Sequence, residues 1–152
     1  MRRKLIGAVL LAAIAAALGW HFTRKALSDR EQLEQLLDQV QRAAHTKDVK
    51  LGLSCLSRDY RDSSGLNKWA IHRLALRAGH SPETFRVLIS DLNLSLRGRE
   101  ASARMEVQVM VRNGEVIEGE YAGPLVLSFR KERGGWRITS SSGWQSWAEG
   151  LE

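Results

Sequence analysis

Apolar and polar side chains alternate from Ala101 to Arg112. Ala101, Ala103, Met105, Val107, Val109 and Val111 share one side, against Ser102, Arg104, Glu106, Gln108 and Arg112 on the other. A period of two belongs to a β-strand with one face on a core, because successive Cβ atoms point to opposite sides of the pleat. A helix would scatter the same residues around its axis. Asn113-Gly114 follows, the strongest short hairpin signal. Beyond it VIEGEYAGPLVLSFRKE runs long, interrupted by Gly123-Pro124, with Leu125, Leu127 and Phe129 inward. Pro124 has no N–H for a ladder and belongs at a bulge or an edge. On the other flank, TFRVLISDLNLSLRGRE starts with Phe85, Val87 and Ile89 on one face, then changes parity to Leu92, Leu94 and Leu96. A bulge near Ser90-Asp91 would flip the parity and bend the strand. Gly134-Gly135 turns the chain into a last strand, where Trp136 and Ile138 share a face. Residues 84–145 therefore predict four long antiparallel strands, joined as a meander and curled into one sheet.

The residues before the sheet read as helices made to cover it. Ser28-Asp29-Arg30-Glu31 is a capping box, and it opens a helix with Leu33, Leu36, Leu37, Val40, Ala43 and Ala44 on one face. Lys47-Asp48 breaks it. A short second helix carries Val49, Leu53 and Leu56, with Cys55 beside them. Cys55 is the only cysteine, so no intrachain disulfide can form, and a small buried hydrophobe is its plain role. Asn67 caps a third helix, with Leu66 and Ile71 placed as a hydrophobic staple. Ile71, Leu74, Ala75 and Ala78 form its core stripe, and Gly79 ends it. Trp69, His72 and Leu76 make a second apolar stripe roughly 140° away. Such a helix is covered on both sides or helps wall a cavity. The expected fold class is α+β: three helices packed on a curved four-stranded antiparallel sheet, behind an N-terminal transmembrane helix.

The formal charge of +6 misleads, because Arg2, Arg3, Lys4, Arg24 and Lys25 stand in the first 25 residues without an acid. The remainder holds 18 bases against 17 acids, which gives no reason to invoke nucleic acid. Leu5 to Phe22 carries no formal charge and spans roughly 27 Å as a helix, near the ~30 Å of a hydrocarbon core. Trp20 and Phe22 suit the far interface, and the basic flanks favour the N-terminus inside. A cleaved signal peptide is the rival reading, but Trp20-His21-Phe22 makes a poor cleavage neighbourhood. The expected division is a short basic tail over 1–4, a transmembrane anchor over 5–22, a linker over 23–27, a domain over 28–145 and a tail over 146–152. The lipid bilayer is then a partner through residues 5–22. The domain lies outside the cytoplasm at a bacterial inner membrane or, after cleavage, in the periplasm.

Long helix, short helix, Tyr-Asp-rich connector, third helix and four-strand meander is an order that resembles the nuclear transport factor 2-like superfamily, also called cystatin-like or ketosteroid-isomerase-like. The residues that carry the resemblance are LEQLLDQVQRAAHTKDVKLGLSCLSRDYRDSSG, with Lys47-Asp48 and Leu56 to Asp62 matching its opening, and Gly135-Trp136-Arg137-Ile138 matching its last strand. The resemblance covers residues 28–145 and implies a cone whose mouth hosts ligands. Members include isomerases, dehydratases, epoxide hydrolases and many non-catalytic binding or assembly domains. Some are anchored in bacterial envelopes, and the bitopic component of type IV secretion assemblies has a similar layout.

The expected pocket has Tyr60, Asp62, Trp69, His72 and Tyr121 at its rim and Met105, Val107, Val109, Leu127, Phe129 and Trp136 as its lining. Isomerase-like chemistry needs an interior carboxylate beside a tyrosine or a second acid. The inward strand faces carry apolar residues, and only Asp91, near the bulge, is placed to turn in. No catalytic residue is assigned. His21, His45, His72 and His80 lack ligand spacing, so no metal site is expected, and no cofactor either. Asp59 and Asp62 are the kind of residues that form turns and caps. Trp144 and Trp147 lie past the last strand and are expected to fold back over the cone mouth. The function expected is a membrane-anchored, envelope-facing, non-catalytic binding or assembly module with a small apolar pocket or a sheet-face protein contact, its partner a small apolar ligand, a second copy in a homodimer or an envelope protein. The alternative is a small-molecule isomerase, dehydratase or hydrolase working by proton transfer at the cone mouth.

Overall fold

Residues 26–143 are described by the structure, a computed structural model. The proposed membrane span, residues 5–22, lies outside the described residues, as do Trp144, Trp147 and the tail. Among the described residues no helix is long and apolar enough to cross a membrane.

Three helices precede four strands: α1 (Asp29–Thr46), α2 (Val49–Ser54), α3 (Lys68–His80), β1 (Thr84–Arg97), β2 (Glu100–Asn113), β3 (Val116–Glu132) and β4 (Gly135–Ser142). The capping box closes as its residues dictate. Ser28 Oγ accepts from the N–H of Glu31, and the Glu31 carboxylate accepts from the N–H of Ser28 at 2.7 Å. Lys47 ends α1 in the left-handed region, φ 56°, which frees Asp48 to cap α2 through the N–H of Leu51. Asn67 caps α3 through the N–H of Ala70.

The sheet runs β1-β2-β3-β4, every pair antiparallel. Each ladder contains one irregularity: between Ser90 and Asn93, at Val111/Arg112, and at Ser128/Phe129. An extra residue bends a strand and tightens its twist, so three of them curl the sheet into a bowl. The first falls where the parity change placed it, with Asp91 at φ 51°. Asp91 does not turn inward: it is exposed, because the bulge rotates it out of the pleat. The same rotation leaves Leu92 exposed, whereas Leu94 and Leu96 return to the core side. The hairpin after β2 is displaced by one residue from the Asn-Gly pair. Asn113 pairs with Val116, so the loop is Gly114-Glu115, with Gly114 supplying the positive φ.

Edges are managed unequally. The connector after α2 covers β4: Ser57 and Arg61 donate backbone N–H groups to Ile138 and Thr139, Ser63 donates to Ser141, and Ile138 donates to Cys55. Pro124 sits opposite Glu106, in the half of β3 that β4 does not reach, so its missing N–H interrupts no ladder on that side.

α1 lies across the concave face. Leu33, Leu36 and Leu37 meet Ala103, Met105, Phe129, Trp136 and Ile138 there, all essentially without solvent contact. Full burial of a side chain such as Phe129 stabilises by about 1.5–3 kcal/mol relative to exposure. Cys55 is fully buried within this cluster, and burial pushes its thiol pKa up. Polar groups at this end are paired. Asp29 accepts from Lys131 Nζ at 2.6 Å and from Trp136 Nε1 at 3.1 Å, which ties the start of α1 to the sheet. The Lys131 bond, then the Trp136 bond, holds the Asp29 carboxyl below its ordinary pKa. Glu132 accepts from Ser57 Oγ at 2.6 Å and from Arg130 at 3.0 Å, and is lowered chiefly by the serine.

α3 departs from its two-sided reading. Ile71, Ala75 and Ala78 face inward, but Leu74 is 47% exposed and belongs to no core stripe. Trp69 and Leu76 face solvent, 65% and 42% exposed. The helix rests chiefly on α2, with Ile71 packed against the core, and its far side, Trp69, Leu74 and Leu76, stays exposed.

Candidate functional site

The wide end of the bowl is hollow. A cavity of about 390 Å³ opens between the C-terminal turns of α1, α2, the inner side of α3 and the start of β1. Small residues leave the room: Ala43 and Ala44 on α1, Ala75 and Ala78 on α3. Phe85, Val87 and Val109 supply its sheet wall, and Ile138 its floor. That volume lies within the roughly 300–1,000 Å³ of small-molecule sites.

The ionisable groups at its border are already engaged. Lys47 Nζ donates to the carbonyl of Ser81 and lies 5.8 Å from the centre of the Phe85 ring. Asp48 caps α2. Gln41 donates to the carbonyl of Val87 at 3.3 Å. A concavity of this make-up suits apolar surface better than charge.

The expected lining divides. Val109 borders the cavity. Met105, Val107, Leu127, Phe129 and Trp136 are buried in the solid end of the bowl instead. The reason is α1: its leucines fill the concave face at one end, and its alanines leave space only at the other.

The expected rim residues divide too. Tyr60, Trp69 and His72 border one cleft, but it lies outside the cone, between the connector and α3. Its volume is about 560 Å³, and Arg58, Arg61 and Lys68 complete its polar wall. Leu53 borders both this cleft and the apolar cavity. Trp69 and His72 meet edge to face, ring centres 5.5 Å apart. Tyr60 is buried, its hydroxyl 2.7 Å from Ser141 Oγ, and burial raises its pKa more than the serine lowers it. Lys68 Nζ donates to the carbonyl of Leu56 at 2.7 Å. Its pKa is held down by burial first, then by Arg137 and Arg58.

Asp62 and Tyr121 join neither place. Asp62 is buried and folds its own turn, Oδ1 accepting from the N–H groups of Ser64 and Leu66 and from Ser64 Oγ. Its Oδ2 is the one buried side-chain oxygen or nitrogen without a partner among the described residues. Tyr121 pairs with Val109 across β2 and β3 and lies over Gly119, where a Cβ would stand 3.0 Å from its hydroxyl. Among the described residues no three histidine, cysteine or carboxylate groups converge as a metal site.

Sequence reasoning passed over the cavity's own wall. Its signal was the pairing of Ala43-Ala44 with Ala75 and Ala78, small residues on helix faces that otherwise carry leucine and isoleucine. Comparison with known proteins fits this architecture. Residues 25–142 match the family model described as the SnoaL-like domain. No curated protein matches the chain. Among solved structures, a nuclear transport factor 2-like protein with a cystatin-like fold from Novosphingobium aromaticivorans is 18% identical, TM-score 0.61, with 88% of each chain covered. A candidate aromatic ring hydroxylase from the same organism is 19% identical, TM-score 0.63, covering 76% of this chain and 87% of that one. A candidate scytalone dehydratase, also from that organism, is 12% identical, TM-score 0.65, covering 74% and 80%. These likenesses carry the fold, and their names differ in chemistry.

Proposed function

The chain belongs to the SnoaL-like domain family, and from that premise we propose that it is a binding module that takes a small apolar molecule into the cavity at the wide end of the bowl. One observation carries the reading: a hollow of about 390 Å³ whose walls are almost wholly apolar and whose bordering Lys47 and Asp48 are committed to structural hydrogen bonds. Proton transfer needs a titratable group aimed at the substrate. Tyr60, Asp62 and His72 are instead turned to Ser141, to a local turn and to Trp69. The proposal therefore assigns recognition and no reaction. It also keeps residues 5–22 as a membrane anchor, with the domain on the outer side of a bacterial inner membrane.

Titration of the full chain with the uncharged fluorophore N-phenyl-1-naphthylamine tests the cavity. Ala75→Phe and Ala78→Phe narrow it and are expected to weaken binding at least about tenfold, 1.4 kcal/mol, with the fold retained by circular dichroism. Undiminished binding in both variants would remove the cavity as the site. Intact mass of the protein recovered from the membrane fraction tests the anchor separately. A chain shortened near its N-terminus would refute it.

A further inference from the structure

We propose that the cleft between α3 and the connector is a second site, built for a small organic anion with a flat apolar body, such as an aromatic carboxylate. The charge argument comes first. Arg58, Arg61 and Lys68 converge on the cleft, and Asp59 is the sole carboxylate among its bordering residues. Asp59 is already held by Arg130 at 2.9 Å. Arg58, Arg61 and Lys68 form no ion pair among the described residues; Lys68 Nζ donates to the neutral carbonyl of Leu56, and the Glu132 carboxylate acts on it only beyond ion-pair distance, offset by Arg137 and Arg58. Like charges gathered without a counter-charge repel, and an anion seated among them reverses the sign of that interaction. Guanidinium groups also offer the paired donors that suit a carboxylate.

The shape argument is independent of charge. Trp69 is 65% exposed on the first turn of α3, so most of the indole is open to solvent. His72 braces it edge to face at 5.5 Å, so the ring is oriented before any ligand arrives. Leu53 gives the cleft an apolar floor. An oriented aromatic plane beside uncompensated cations selects a ligand with a ring at one end and a negative charge at the other. The concavity, about 560 Å³, suits a small molecule. This site stands whether or not the apolar cavity is ever filled.

Calorimetric titration of the full chain with 1-naphthoate, and with the uncharged 1-naphthalenemethanol, tests the assignment. Naphthoate is expected to bind at one site per chain, at least about tenfold tighter than the alcohol, and more weakly as salt rises. The double variant Arg58→Gln/Arg61→Gln should lose at least about tenfold in affinity for naphthoate while melting at the same temperature, since both residues are exposed. Trp69→Ala should weaken the acid and the alcohol alike. Ala75→Phe, which narrows the cavity, should leave naphthoate binding unchanged. Equal affinity for acid and alcohol, loss of naphthoate binding in Ala75→Phe, or indifference to the double arginine change would each overturn the cleft. So would tighter binding of polyglutamate than of naphthoate, which would make the patch a docking face for an acidic chain.

Discussion

The two ends of the bowl are built from the same strands and the same long helix, yet one is solid and the other hollow. Along β2, Ala101, Ala103, Met105 and Val107 are buried, and then Val109 and Val111 are only half so. Along α1, Leu33, Leu36 and Leu37 are buried, whereas beyond them Val40 and Ala44 are half-buried and only the small Ala43 is buried. The narrow end closes with paired polar groups, Asp29 with Lys131 and Trp136, Glu132 with Ser57 and Arg130. The wide end closes with α3, a helix that has no buried residue. The difference teaches that packing and open space fall on separate lengths of the same elements: the core is closed where leucines meet the sheet, and room for a ligand remains where alanines leave it uncovered.

The largest effect that would break this contrast is a matched pair of truncations. Phe129→Ala at the solid end is expected to cost about 3–5 kcal/mol, because it leaves a cavity that rigid neighbours cannot close. Phe85→Ala at the hollow end is expected to cost less than about 1.5 kcal/mol, because one side of that ring already faces open space. Denaturant unfolding measures both, and equal costs would mean that the ends do not differ in packing.

Next comes Asp62→Ala, which removes the acceptor that gathers three donors in the connector turn. A loss of about 1–3 kcal/mol is expected by the same unfolding measurement. A smaller effect, near zero or a gain within about 1 kcal/mol, is expected from Ala75→Leu, since added methylenes enter existing space rather than a filled core. A loss above about 2 kcal/mol would show the cavity to be tighter than the contrast requires.

The smallest effect concerns the closing polar groups. Asp29 and Glu132 have carboxyl pKa values below the ordinary range in the folded chain. Their contribution is therefore complete above about pH 4–5, where an unfolded carboxylate is ionised, and fades as pH falls through the lower folded value. Glu132→Gln should flatten the acid side of the stability profile in that window, and Ser57→Ala should do so in part. An unchanged acid limb in Glu132→Gln would show that this end is held by packing alone.

Element order and strand faces were legible because they depend on local period: two for β2, a capped 3.6 for α1. The first bulge was legible because a parity change within fourteen residues of β1 has no other cause. What the sequence did not yield was tertiary. Leu74 follows the same helical spacing as Ile71, and only the way α3 rests on α2 decides that one faces inward and the other solvent. The Asn-Gly pair marked a turn but not its register: Asn113 pairs with Val116 and Gly114-Glu115 forms the loop. The site suffered most. Met105, Phe129 and Trp136 have the inward parity expected of a lining, but parity names a face and not how much of it a helix fills. Tyr60, Trp69 and His72 came together, yet on the outside of the wall that Leu53 shares.

The backbone bonds between residues 55–63 and 138–141 stitch the last strand to a segment some eighty positions earlier. Synthesis on a ribosome proceeds from the N-terminal side, so α1 and α2 emerge long before the strand that fastens them. Contacts so far apart in the chain are slow to form, because a long loop must be closed before they return any stabilisation. Release of the β4 residues from the exit tunnel is thus the moment at which the domain can latch shut. Until then its greasy helix face remains a client for whatever chaperone or membrane surface stands nearby.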